Sequence, residues 1–260
     1  ALDPKTGGVL SLVSLPSFDN NAFSSGDQKE IEKILKDAKE PLFNLAVAGL
    51  YPTGSTIKPL LASAALAEKI ISPEKQIYDP GFIEVPHRYD PEIIFKFLDW
   101  AVHGWVDMRK AIAVSANVYF YTIGGGYGQQ EGLGPTRIKK YLELFGWGTR
   151  TGVDLPGEVQ GLIPSPEWKE EKKKEGWWDG DTYNMSIGQG NILATPLQVA
   201  SAFVAIANGG KLFQPEIVQK IIDDEEIQPK IIRENFIKPE NLQVARDGMR
   251  QAVTAGSAVI

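Results

Sequence analysis

The apolar positions of this chain keep a helical rhythm through the middle and alternate toward the two ends. Residues 9–15 (Val-Leu-Ser-Leu-Val-Ser-Leu) have period two and predict a strand, entered by the turn Asp3-Pro4-Lys5-Thr6-Gly7-Gly8. Asp27 predicts the cap of a helix with apolar positions Ile31, Ile34, Leu35 and Ala38, stopped by Pro41. Residues 60–66 are almost wholly apolar and predict a buried helix running to about Ile70. Residues 71–100, with prolines at 73, 80, 86 and 91, read as one long irregular loop of the kind that serves function. A helix over 106–114 is expected to end at Ser115-Ala116-Asn117, before a buried apolar segment, 118–123, stopped by three glycines. Pro135 opens a helix facing inward with Ile138, Tyr141, Leu142 and Phe145, and 148–163 is turn-rich. Thr195-Pro196 starts a buried helix over 197–206, closed by Asn208-Gly209-Gly210. Residues 212–222 and 227–232 read as strands around the acidic turn 223–226, and Pro239 begins a last helix carrying Leu242, Ala245, Met249 and Val253. A helical centre with strands toward both ends is the layout of an α+β unit whose sheet is assembled from the chain's extremes.

Composition narrows the partners more than the fold. At 260 residues and 43% hydrophobic, the chain can build one large core or two small ones. A net charge of -6 with no basic stripe argues against nucleic acid. The lysine-rich run 169–174 alternates with glutamates and predicts a solvated helix face. With no cysteine, no run of eighteen apolar residues and Ala1 in first place, the sequence reads as a processed form or a fragment, and its compartment stays open.

The candidate chemistry sits in Tyr51-Pro52-Thr53-Gly54-Ser55-Thr56-Ile57-Lys58-Pro59. Pro52 and Gly54 make a turn, which puts Ser55 at or near the first turn of the helix, among unpaired N–H groups. Lys58, three residues on, shares its face and can bring an amine to the hydroxyl. A desolvated lysine is neutral often enough to deprotonate a serine, so the pair suits an acyl-transfer nucleophile and base. The tetrapeptide by itself is weak, since about one Ser-x-x-Lys is expected by chance in such a chain. A second copy, Ser72-Pro73-Glu74-Lys75, reads as a polar turn or N-cap.

Sixty residues after Ser55 comes Ser115-Ala116-Asn117. Ser-x-x-Lys followed by Ser-x-Asn resembles the penicilloyl-serine transferases, which add a Lys-Thr-Gly. Four segments in order carry the resemblance further: Asp3-Pro4-Lys5-Thr6-Gly7 with Ser14-Leu15-Pro16-Ser17-Phe18-Asp19, the Ser55 segment, His103-Gly104 through Asn117-Val118-Tyr119-Phe120-Tyr121, and Ser186-Ile187-Gly188-Gln189-Gly190 with Thr195-Pro196-Leu197-Gln198. The whole chain resembles the transpeptidase domain of a class B penicillin-binding protein of the elongation type. That resemblance implies the β-lactamase/transpeptidase-like α+β fold, an antiparallel sheet flanked by helices with an all-helical subregion. It implies a serine D,D-transpeptidase in which Ser55 attacks the D-Ala-D-Ala carbonyl of a peptidoglycan stem peptide and Lys58 is the base. Ser115 would relay a proton, Asn117 would hold Lys58 and the substrate amide, and the Ser55 N–H would supply half of an oxyanion hole. Stem peptides and β-lactams are the implied ligands, with no cofactor. The implied parent is anchored in the bacterial membrane, on its outer, periplasmic face, beside a glycan-polymerising membrane protein.

One element departs from the pattern. The family's Lys-Thr-Gly follows the last helix, whereas this chain stops at Ala255-Gly256-Ser257-Ala258-Val259-Ile260, and its Lys5-Thr6-Gly7 reads as a turn. Residues 1–260 are thus expected to be a partial domain with an incomplete sheet. Ser115 and Asn117 also read as a helix-end cap pair when taken alone. His87 and His103 could ligate a metal with Asp90 or Asp99; some relatives hold zinc here through a cysteine that this chain lacks, so no metal is expected. Trp177, Trp178 and Tyr183 could line a groove but are expected to cover the core edge. The rival functions are a hydrolase on the same fold, either a carboxypeptidase or a serine β-lactamase, and a non-catalytic penicillin-binding sensor or scaffold.

Overall fold

A computed structural model describes residues 1–221 and 228–259. The chain opens with α1 (Asn21–Ser25), α2 (Gln28–Lys36) and α3 (Leu45–Ala48), then a 3₁₀ turn (Gly54–Ile57) running straight into α4 (Lys58–Ala67). Four short strands follow: β1 (Ile77–Asp79), β2 (Phe82–Pro86), β3 (Ile94–Leu98) and β4 (Gly104–Val106). The helical centre comprises α5 (Met108–Ala113), α6 (Asn117–Gly125), α7 (Gly134–Leu144), α8 (Pro166–Lys173), α9 (Asp179–Ser186) and α10 (Pro196–Ala207). β5 (Leu212–Phe213), β6 (Ile231–Arg233) and α11 (Pro239–Ala255) close it. No described helix is long and apolar enough to cross a membrane.

The core forms around α4, whose residues from Lys58 through Leu66 are all buried. A helix apolar on every face has no stripe to turn outward, so neighbours must surround it. Ile57, Leu60 and Leu61 meet Val118, Phe120 and Ile123 of α6, Leu142 of α7, and Leu242 and Ala245 of α11 in one continuous cluster. The long helices start as their sequences predict. Asp27 accepts from the Glu30 N–H at 3.1 Å, and Thr195 and Gln198 form a reciprocal capping box.

Among the described residues the strands pair antiparallel in three two-stranded sheets, β1 with β4, β2 with β3 and β5 with β6. The chain's extremes do meet, through the parallel Gly8–Glu216 bridge, where the Val9 N–H donates to the Glu216 carbonyl at 2.8 Å. The strand expected over 9–15 does not form: Leu10, Val13 and Leu15 are 70%, 69% and 67% exposed. Alternation gives a segment two faces but no partner, and beyond Val9 no described backbone pairs with this one as a ladder. The acidic turn 223–226 and the strand residues Ile222 and Ile227 lie outside the described residues. Of the two strands expected there, Leu212–Phe213 and Ile231–Arg233 are observed.

The supposed irregular loop 71–100 instead carries three strands, β1, β2 and β3. Its prolines had masked a hairpin. Pro80 precedes β2, Pro86 ends it and Pro91 lies in the connection, all places where a missing N–H costs no ladder bond. The basic run is only partly solvated, because Lys169 is buried and pairs with Asp181 at 2.7 Å. Lys5-Thr6-Gly7 is a turn, with Gly7 at φ +79° donating to the Asp3 carbonyl and packed against Phe213.

Candidate active site

Ser55 is exposed on the 3₁₀ turn, one turn before a helix whose burial drags Lys58 inside. The turn is held from two sides. Tyr51 and Ala194 exchange backbone hydrogen bonds of 3.1 and 3.0 Å, and the Gly54 N–H donates to the Gly188 carbonyl at 2.8 Å. Gly188, at φ +71°, lies so close that an added Cβ would collide with the Gly54 carbonyl oxygen. A glycine is required there on both counts.

Lys58 is 1% exposed, and its three N–H donors have three acceptors: the Ser115 carbonyl at 2.7 Å, the Ser115 hydroxyl at 3.0 Å and Asn117 Oδ1 at 2.7 Å. Ser115 sits between α5 and α6 at φ +56°, the left-handed region that few residues other than glycine adopt. That reversal presents its carbonyl and its hydroxyl to the same amine. The Ser115 hydroxyl also bonds Ser55 Oγ at 3.0 Å. All four predicted residues, Ser55, Lys58, Ser115 and Asn117, are therefore in one hydrogen-bonded group. The order differs from the expectation that Lys58 meets Ser55 directly, because Ser115 stands between them. Burial pushes the Lys58 amine down to about 8, against a smaller upward pull from Asp99 and Asp79.

Behind this group stand Asp99, which the sequence offered only as a possible metal ligand, and Trp100, which it did not single out. Asp99 accepts from the Val118 N–H at 2.8 Å and so caps α6, the helix that begins with Asn117. Trp100 donates its indole N–H to the Val114 and Ser115 carbonyls at 3.1 and 3.2 Å. Both lie at the end of the stretch read as a loop, where recognition of the β2–β3 hairpin would have drawn attention to Trp100 and to the capping role of Asp99.

Asp79, Asp99 and His103 bring three possible ligand atoms within 4.8 Å of one another. Asp79 Oδ2 and His103 Nε2 are buried without hydrogen-bond partners among the described residues, and burial followed by the neighbouring Asp99 pushes the Asp79 carboxyl up to about 7. Two carboxylates and an imidazole fit a divalent cation with three protein ligands. Of the residues weighed from sequence, His103 and Asp99 thus come together, with Asp79 as an unforeseen third. His87 lies at the far end of the hairpin against Tyr89 and Phe95. The aromatic trio also divides. Tyr183 is buried and Trp177 packs on the core, while Trp178 lines a cavity of about 260 Å³ with His87, Arg88 and Phe95.

The family model for the penicillin binding protein transpeptidase domain matches residues 1–260. The chain belongs to the penicillin-binding-protein transpeptidase family. Within that family, a peptidoglycan D,D-transpeptidase MrdA from Acinetobacter baumannii is 41% identical over 222 residues, 84% of this chain and 31% of that protein. Pseudomonas aeruginosa PBP2, solved in complex with WCK 5153, is 33% identical with a TM-score of 0.83, over 97% of this chain and 56% of that one. Helicobacter pylori PBP2, solved in complex with MreC, is 34% identical with a TM-score of 0.80, over 96% of this chain and 44% of that one. The α+β transpeptidase fold expected from the sequence is thus the fold of the chain. Penicillin-binding transpeptidases of the MrdA type are longer, and the chain spans 31% and 39% of two of them.

Proposed function

We propose that this chain carries the acylation machinery of a peptidoglycan D,D-transpeptidase, a serine acyltransferase that β-lactams also acylate. The observation that supports this most is the unbroken hydrogen-bonded path from Lys58 through the Ser115 hydroxyl to Ser55. Neutral Lys58 takes a proton from the Ser115 hydroxyl as that hydroxyl takes one from Ser55. Ser55 Oγ then bonds to the carbonyl carbon of the D-Ala-D-Ala amide. The oxyanion faces the N–H of Ser55, a first-turn donor with no acceptor inside its own helix. Collapse breaks the C–N bond, and the proton returns through Ser115 to the departing D-alanine amine, leaving an ester on Ser55. The amine of a second stem peptide attacks that ester, forms the cross-link and restores the Ser55 hydroxyl. Asn117 holds Lys58 in place and offers its amide to the substrate backbone. Asp79, Asp99 and His103 would hold a divalent cation whose charge supports Asp99 under α6, with no part in the bond changes.

The setting proposed with this activity is the bacterial envelope, on the outer face of the cytoplasmic membrane, beside a glycan-polymerising membrane protein. Intact-mass spectrometry after incubation with a fluorescent penicillin tests the reading, with Ser55→Ala as the control. A mass shift that depends on Ser55 and persists for hours is expected. An adduct lost by hydrolysis within minutes would favour a hydrolase, and an adduct without turnover of any stem peptide would favour a sensor. The same measurement on a longer version carrying a Lys-Thr-Gly strand tests the expectation that the domain continues past residue 260. No adduct in either form would sink the acyl-transfer reading.

A further inference from the structure

The β2–β3 hairpin is fastened to α6 and to the end of α5 at its base. Leu98 accepts from the Tyr121 hydroxyl at 3.2 Å, Asp99 caps α6 through Val118, and Trp100 donates to the carbonyls of Val114 and Ser115, the two residues that follow α5. The last carbonyls of a helix have no donor within it, so an outside donor decides how they point. The Ser115 carbonyl, two residues past the end of α5, is likewise outside any helix ladder and is also an acceptor for Lys58. Trp100 is 62% exposed, and its ring rests edge-on against His103 at 4.9 Å. An indole so open to solvent buries little area, which leaves its N–H as its main hold on the fold.

We propose that Trp100 is a positioning residue for the Ser55 reaction, its indole N–H holding the Ser115 carbonyl and thereby the placement of Lys58 and the Ser115 hydroxyl. This rests on the acyl-transfer reading above. Two effects follow from one bond. The left-handed conformation of Ser115, unfavourable for a residue with a Cβ, is kept by the donors that reach its backbone. The Ser115 carbonyl is also shared between two donors, so Trp100 weakens the bond that the carbonyl accepts from the Lys58 ammonium. Removing the indole N–H leaves that carbonyl to Lys58 alone, and a stronger bond to the charged form favours the charged form.

The test is Trp100→Phe in the full chain, which keeps a ring against His103 and deletes the donor. Acylation by a fluorescent penicillin is followed over a range of concentrations, separating non-covalent affinity from the saturating rate. The saturating rate is expected to fall about three- to tenfold with affinity changed less than twofold, since one hydrogen bond is lost. The pH of half-maximal rate should move upward. A change in affinity alone would make Trp100 a wall of the substrate groove and overturn the proposal, as would no change in either constant. If Trp100→Phe does not melt cooperatively, the same measurements are made on Trp100→Met, and loss of the fold in both would leave Trp100 a folding residue only. A wild-type chain that takes up no penicillin fails the acyl-transfer reading itself. A wild type that acylates beside an unaffected variant overturns this inference alone.

Discussion

The chain contains one tetrapeptide pattern in two settings, and their difference shows what turns a serine and a lysine into a candidate catalytic pair. In Ser72-Pro73-Glu74-Lys75 both polar side chains are exposed, Lys75 donates its backbone N–H to the Ser72 carbonyl at 3.2 Å, and its amine bonds Gln130 at 2.8 Å. This is a surface turn. In Ser55-Thr56-Ile57-Lys58 the serine is equally exposed, but the lysine lies at 1% exposure among three acceptors. Spacing is the same in both. What differs is that α4 is apolar on all sides, so packing it takes Lys58 out of water, and α5 and α6 then meet its amine with Ser115 and Asn117.

The sharpest way to separate the two copies is to remove each lysine. Lys58→Met should lower the acylation rate about a thousandfold, within the range found for losing a positioned base. Lys75→Met should leave it within twofold. Comparable losses from the two, measured with the same fluorescent penicillin, would mean that burial of Lys58 has nothing to do with the chemistry.

A smaller effect is expected from the backbone that presents Ser55. Gly188 and Gly190 both have positive φ, +71° and +77°, so an alanine at either carries a similar conformational cost of about 1–2 kcal/mol. They differ in room. A Cβ on Gly190 meets Asn184 at an ordinary 3.7 Å, whereas one on Gly188 meets the Gly54 carbonyl and, at 2.6 Å, Thr53 Oγ1. Gly188→Ala should therefore cost about 2–4 kcal/mol of stability and slow acylation roughly tenfold or more, against about 1–2 kcal/mol and little change in rate for Gly190→Ala. Denaturant melts read the first quantity and penicillin kinetics the second. Equal costs at the two positions would show that the Gly188 contact does not hold the Ser55 turn.

The sequence made some of this legible and hid the rest for physical reasons. Helices announced by caps and one-sided patterns, such as those behind Asp27 and Thr195, were readable because the signals are local. So were Ser55, Lys58, Ser115 and Asn117, because two spaced motifs and a family resemblance pointed to the same place. The strand at 9–15 was misread because alternation says nothing about whether a partner strand exists. The β2–β3 hairpin was missed because prolines at its ends look, in one dimension, like breakers in its middle. That miss also concealed Trp100 and the capping role of Asp99, whose bonds to Val114, Ser115 and Val118 cross 14 to 19 residues of chain. Nothing in the local pattern around Trp100 signals a donor to the residues that follow α5.

The last consequence of burying Lys58 is in its protonation, and it gives the smallest effect and the most specific one. With its amine brought down to about 8, Lys58 is neutral in roughly one molecule in ten at pH 7 and in most molecules above pH 9. A base acts in its neutral form, so acylation should rise about tenfold from pH 7 to a plateau, with its midpoint near 8. A lysine left in water would put that midpoint near 10.4. Stability has the same sign. A folded-state value lowered from 10.5 means that the unfolded chain binds the Lys58 proton more tightly, so below about pH 8 this residue opposes folding. The opposition fades between about pH 8 and 10.5. Lys58→Met should flatten the rate profile, whereas Lys75→Met should leave its midpoint in place. A wild-type profile level from pH 7 to 9.5, or one still climbing at 10, would contradict the idea that burial on α4 is what makes this lysine a base.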